Sequence, residues 1–473
     1  ALSHLPLHFF APSRSKEHRM KAASSARKSS ANRPRFPLAV VLALGSLGSL
    51  ATSVQAQSLV ELYEAARGFD ATYLAARSQY DASLAQAAQA RAGLLPQAGL
   101  AAAASWARRE VNNGGFGGTN DSQSTTLSAS QPLYRPVNRL TNDQATLTMD
   151  IAKARLTLAE QDLIVRTSQA YFDVLAAQDT LAFVRAQKTA VAEQLAAAKR
   201  NFEVGTTTIT DSREAQAQFD LVLAREIAAE NDLRVKQLAL DQLVGRTSVA
   251  PRPLAAPVAL PELLPADPQA WVDRNVGTHP TILQATRNLE IAQLETSKAE
   301  AGHKPTLDLV GQYQVARGPS TTLPTAGNVR TNTASVGVQF NLPLFAGFAV
   351  QNRIKETLAL QEKARSDLEA ARRGVDLSTR SAYLGVVSGQ GQVRALQAAE
   401  ASSQSALDAN RLGYQVGVRI NIDVLNAQSQ LFQTKRDLAQ ARYNVLLSSL
   451  RLRQASGALL PEDLLPIDAL LVK

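Results

Sequence analysis

Residues able to do chemistry are scarce in this chain. Cysteine is absent and histidine occurs five times in 473 residues, which excludes a thiolate nucleophile, a disulfide framework and a Cys-built metal site. His4, His8 and His18 crowd the N-terminal end, leaving His279 and His303. Two are too few for a histidine-built metal centre without carboxylate help. No Ser/His/Asp set and no His-Glu-x-x-His spacing occurs. Gly114-Gly-Phe-Gly-Gly118 is followed by neither Lys-Ser/Thr nor a helix start, so it is no phosphate loop and reads as a flexible hairpin loop. No catalytic residue, metal or cofactor is expected. The polar residues that stand out do so by position. Asp211 and Asp423 each follow a glycine break, at Gly205 and Gly417, and sit where helix N-caps belong, their carboxylates accepting first-turn N–H groups. Capping alone accounts for either aspartate. Arg419 lies inside the second break among apolar and amide residues, where a solvated surface arginine is the plain alternative to any role.

Charge and apolar patterning bear on the compartment. The formal charge is +9, but residues 1–56 hold eight basic side chains against one acid, so residues 57–473 carry only +2. With that leader set aside, no nucleic-acid-binding surface is expected. The leader has the order of a secretory signal: a basic run over 21–35, thirteen apolar-rich residues over 38–50, then small residues at Val54-Gln55-Ala56. A start at Met20 and cleavage after Ala56 are expected. A permanent helical span needs about 20 apolar residues, and no later stretch approaches that length.

The elements that carry the two aspartates are duplicated. Residues 202–216 overlie 414–428 at a constant offset of 212, with Val, Gly, Asp, Ala and Gln identical. Ala170-Tyr171 returns as Ala382-Tyr383, Ala-Gly-x-x-Pro recurs at 92–96 and 301–305, and Pro132-Leu-Tyr134 returns as Pro343-Leu-Phe345. One unit therefore spans 57–245 and a second 268–457, with a Pro-rich linker at 246–267 and a tail at 458–473. In the first unit, composition and breaks predict a helix over 59–94 and strands at 97–109 and 123–134 about a loop at 112–121. A long helix over 137–204 and a second from Asp211 to Val244 follow. In the second unit they predict a helix over 268–302, strands at 306–317 and 331–342, and helices over 348–415 and 423–456.

Both strand pairs alternate apolar with small polar residues. Leu307, Leu309, Gly311, Tyr313 and Val315 alternate with Asp308, Gln312 and Gln314; Val336, Val338, Phe340 and Leu342 alternate with Ser335, Gly337, Gln339 and Asn341. Runs of about ten such residues suit tilted transmembrane strands, although a soluble sandwich strand has a similar pattern. Four strands cannot close a barrel, and an open edge cannot sit in lipid. Other subunits must supply the rest. The last long helix repeats every seven residues at Val424, Leu431, Leu438, Val445 and Leu452, with Ala427, Thr434, Ala441, Ser448 and Ala455 three residues on, a coiled-coil seam.

This plan resembles the TolC family of outer-membrane channels over essentially all of 57–460. The most specific pieces are Tyr414-x-Val-Gly417 with Ile422-Asp-Val-Leu-Asn-Ala-Gln428, and Leu438-Ala-Gln-Ala-Arg-Tyr-Asn-Val-Leu446. They are similar to the family's signature at the periplasmic turn and the helix after it. The resemblance implies an α+β membrane protein. It would be a homotrimer sharing a twelve-stranded outer-membrane β-barrel, continued by a twelve-helix tunnel across the periplasm. It also implies a periplasmic adaptor and an inner-membrane ABC or other transporter as partners, outer-membrane lipid around the barrel, and a cargo in transit. Type I protein secretion, including that of haemolysin-type (RTX) toxins, is the branch it is most like; multidrug efflux is the alternative. The lipid-anchored efflux branch is disfavoured because no cysteine can carry the lipid.

Carried over residue by residue, the resemblance places Asp423 and Asn426 at the channel-entrance constriction. Thr210, Asp211, Tyr414 and Arg419 become ties that close it, with Arg419 bonded to Thr210 or Asp211 across neighbouring helices. Many relatives carry a second acid where this chain has Asn426. Two readings of another class, a periplasmic adaptor and a structural coiled-coil protein, fit the helices. An adaptor, though, would have one long hairpin and no matched pairs of alternating strands.

Overall fold

A computed structural model describes residues 56–472 except 110–117, 256–257, 259, 262, 274–276 and 320–326. The expected leader and the Gly114 run lie outside the described residues, apart from Ala56 and Gly118. Helices α1 (Leu59–Phe69) and α2 (Ala71–Ala92) open the chain. The expected single helix over 59–94 is broken at Asp70, whose backbone leaves the helical region at ψ 116°. Its carboxylate accepts from the Tyr73 N–H at 2.8 Å, and Arg166 grips both oxygens at 3.0 Å. The bonds from Arg166 hold Asp70 below the usual carboxylate range.

Strands β1 (Gln97–Arg109) and β2 (Gly118–Tyr134) lead into α3 (Pro136–Glu203) and α4 (Ile209–Val244). The second copy supplies α5 (Pro268–Asp273), α6 (Pro280–Glu300), β3 (Thr306–Pro319), β4 (Asn328–Asn341), α7 (Ala349–Gln415) and α8 (Asn421–Ala455). The helix expected over 268–302 is in pieces, because Pro280 has no N–H to continue a ladder and starts a new helix instead. His279 caps it, its ring accepting from the Thr281 N–H at 3.2 Å, and burial lowers its pKa towards that neutral acceptor form. β2 begins earlier than expected because its Asn, Asp and Ser residues, which read as loop, pair fully with β1.

The four strands form one antiparallel meander in the order β1-β2-β3-β4, leaving β1 and β4 as free edges. The helices are long for a reason visible in their spacing. α3 has 68 residues, about 100 Å at ~1.5 Å per residue. Buried Val424, Leu431, Leu438, Val445 and Leu452 of α8 face Val386, Val393 and Leu407 of α7, themselves seven or fourteen residues apart. Val184, Val191 and Ala198 of α3 pack with Ala215 and Val222 of α4 in the same manner. Seven-residue seams keep paired helices in register over this length. The largest core lies where α1, α3, α4 and α8 meet the tail, around Tyr63, Tyr171, Phe172, Leu240 and Leu446. Linker and tail close over it through the bridges Gln57↔Pro251 and Leu254↔Leu471.

Candidate channel entrance and transmembrane sheet

Both hairpins turn by the same device. After α3, Gly205 adopts φ +77°, Thr206 N–H returns to Asn201 O at 2.8 Å and Gly205 N–H to Phe202 O at 3.0 Å. After α7, Gly417 adopts φ +79°, Val418 N–H returns to Gly413 O at 2.9 Å and Gly417 N–H to Tyr414 O at 3.2 Å. This left-handed glycine closure satisfies the last carbonyls of each helix.

The next helices start differently. Thr208, not Asp211, is the N-cap of α4, and Asp211 is its third residue. The two form a capping box: the Thr208 N–H and hydroxyl donate to Asp211 Oδ2 at 3.1 and 3.0 Å, and Asp211 N–H donates back at 3.4 Å. Asp423 is likewise the third residue of α8, but its N-cap is Ile420, which has no side chain able to cap. The Asp423 carboxylate instead pairs with Arg419 Nη1 at 3.6 Å. Arg419 is therefore engaged within its own turn, not on Thr210 or Asp211, and Thr210 is exposed. Tyr414 accepts from Asn201 Nδ2 at 3.5 Å, and Asn426 lies exposed one residue short of a turn beyond Asp423. Gly413 is required beside this turn: a Cβ there would stand 2.7 Å from Arg419 Cγ.

A further polar residue, Asn421, joins the tips. Asn421, fully buried at the start of α8, accepts from Gln194 Nε2 of α3 and donates to the Asp211 carbonyl of α4 at 3.4 Å. It is a buried polar clasp between the two hairpin tips, beside the Asn201–Tyr414 bond. Its signal in the sequence is an amide where the first copy has Ile209.

At the other end, the sheet has two chemically distinct faces. Directly opposed residues share a face. Leu100, Leu127, Tyr313 and Ala334 form one such row, followed by Ala98, Ala129, Gly311 and Val336, then Leu309 with Val338 and Leu307 with Phe340. These apolar side chains are unburied, Val336 being 83% and Phe340 62% exposed. The opposite face carries Ser122, Ser124, Thr126, Ser128, Gln312, Gln314 and Ser335. Phe345 and Phe348, edge to face at 5.5 Å, stand where β4 gives way to α7. An apolar face, a polar face and aromatic residues at the rim are the marks of a membrane strand. Arg135, between β2 and α3, donates to both oxygens of buried Asp308 in β3 at 2.8 and 2.6 Å, locking the sheet to the helices. Among the helices, Glu295 of α6 accepts from Gln144 at 2.9 Å, Arg353 at 2.7 Å and Lys298 at 3.1 Å. These bonds, the one from Gln144 foremost, hold Glu295 down at about 2.

The sequence pattern of the outer membrane efflux protein family matches this chain twice, over residues 62–246 and 271–458. The chain belongs to that family. It is 34% identical to the outer membrane protein TolC of Vibrio cholerae over 434 residues, covering 92% of this chain and 98% of TolC. It is 30% identical to the alkaline protease secretion protein AprF of Pseudomonas aeruginosa, covering 86% of each. Its fold matches the crystal structure of the outer membrane protein VceC of Vibrio cholerae at a TM-score of 0.72 and 20% identity, over 84% of this chain and 96% of VceC. Membership in the efflux protein family makes the chain an outer-membrane channel-tunnel of efflux and secretion systems, not an enzyme. The α+β architecture expected from the strand pairs and long helices is that of this family.

Proposed function

We propose that three copies of this chain close a twelve-stranded barrel and a helical tunnel through which protein is exported, with a periplasmic adaptor and an inner-membrane ABC transporter. The observation that carries the assembly is the four-stranded sheet, apolar on one face and open at both β1 and β4. Unpaired strand edges are too costly in lipid, and helices about 100 Å long leave room for a conduit beyond the membrane. Protein cargo is supported by the likeness to AprF, whose name describes protease secretion. Small-molecule efflux is the second reading, favoured by the family's own description.

At the far tips, Asp423 would stand as a ring of three carboxylates at the entrance, with Asn426 adding none. Arg419 and Tyr414 would hold the tips closed, and Thr210 with Asp211 would face them from the first copy. Cross-linking the detergent-solubilised protein tests the assembly. Products should stop at three chains, and a monodisperse monomer that keeps its strand signal would contradict it. Co-purification with an ABC transporter, and loss of one secreted protein on deletion, would support export; drug sensitivity alone would favour efflux.

A further inference from the structure

The lipid-facing side of the sheet ends in an unneutralised basic pair. We propose that Arg317 and Arg330 bind the phosphate groups of phosphorylated lipid headgroups in the outer leaflet. This inference rests on the outer-membrane channel reading above.

Arg317 of β3 and Arg330 of β4 are direct cross-strand partners, on the face that carries Tyr313, Leu309, Val336 and Val338. Like charges directly opposite on one face repel. Among the described residues, neither guanidinium has an ion-pair or hydrogen-bond partner. Asp121, the acid at this rim among the described residues, accepts instead from Asn328 Nδ2 at 2.7 Å. Both arginines are exposed, and Gln123 opposes Arg317 on the other side. An anion is the missing component.

Their height says which anion. The helices leave the sheet at Tyr134 and Asn341, so the strand ends at Arg109, Gly118, Pro319 and Asn328 lie at the end of the sheet away from the helices. Ten rungs of the β3–β4 ladder separate the pair Leu307–Phe340 from the pair Arg317–Arg330. At ~3.4 Å per residue and a strand tilt of about 40°, ten rungs rise about 26 Å, close to the ~25 Å apolar band of outer-membrane barrels. With Phe340 at the inner interface, the guanidiniums reach the outer headgroup level. Trp106, on the same face and 71% exposed, opposes Asp121 near that rim, a position suited to an interfacial indole. Two planar forks side by side match the oxygens of a phosphate, which each can take up with paired N–H groups.

The test uses the full chain in detergent, titrated with diphosphoryl lipid A, its dephosphorylated form and inorganic phosphate, and followed by native mass spectrometry. The expected result is preferential retention of the diphosphoryl lipid, weakened about tenfold or more in R317Q/R330Q, with inorganic phosphate at millimolar concentration failing to displace it. Equal retention of both lipids, unchanged binding by R317Q/R330Q, or displacement by inorganic phosphate would overturn the proposal. Conductance in planar bilayers separates the two levels. If the wild type conducts while its lipid binding ignores these arginines, only this inference fails; if the wild type does not conduct, the channel reading fails with it.

Discussion

The two hairpin tips are built to one pattern and finished differently. Each turns on a left-handed glycine, Gly205 or Gly417, and each places an aspartate at the third position of the following helix. In the first copy Thr208 caps the helix and absorbs the Asp211 carboxylate into a closed box. In the second, Ile420 cannot cap, and Asp423 is left to the looser pair with Arg419 at 3.6 Å. A carboxylate already bonded twice within its own turn is a structural group. One held by a single long contact to an exposed arginine can change partners. The two copies thus hold equivalent positions, and with Ile420 where the first copy has Thr208, the second carboxylate is left outside a capping box.

Several substitutions would break or sharpen this contrast. The largest effect is expected from Asn421→Leu, which leaves the Gln194 amide without its partner and removes a second donor from the Asp211 carbonyl. Leaving such groups unpaired costs about 1–3 kcal/mol, so amide exchange should accelerate at both tips together. Thr208→Ala should loosen only the first tip, by about 1 kcal/mol, and Ile420→Thr should steady the second by a similar amount by offering Asp423 a capping box. Exchange protection at the start of α4 and of α8 would report each. A first tip unaffected by Thr208→Ala would remove the basis of the comparison. Arg419→Ser should shift stability by less than about 1 kcal/mol, because the pair is exposed, while raising single-channel conductance.

Acid should act where α3, α6 and α7 meet around Glu295. Glu295 is held down at about 2 by Gln144, Arg353 and Lys298, against an ordinary 4.5. Its contribution is complete above pH 4.5 and is lost as the pH falls towards about 2. Exchange along α6 and the first turns of α7 should rise over that range.

The turns and seams were legible because their signals are local. Gly205 and Gly417 stand at one offset, and the seven-residue series from Val424 to Leu452 declares its buried face. The helix starts were placed too late. Ile209 and Thr210 are β-branched and weak helix formers, so Asp211 looked like the cap, whereas the Thr208 box carries the helix past them. The break at Asp70 depends on a side-chain bond that composition does not display, whereas the start after His279 is marked in the sequence by Pro280. Asn421 was out of reach for another reason: its partners lie 227 and 210 residues away in sequence. Arg419, expected to tie to Thr210 or Asp211 across neighbouring helices, pairs loosely within the single chain with Asp423, four residues along.

The division of labour between the two aspartates is tested most directly by trivalent-cation block of single channels in planar bilayers, comparing wild type, Asp211→Asn and Asp423→Asn. A ring of carboxylates in a narrow mouth concentrates cations. Block should survive in Asp211→Asn and be lost in Asp423→Asn. Block that persists in Asp423→Asn, or that disappears equally in both variants, would contradict the assignment of the entrance to the second copy.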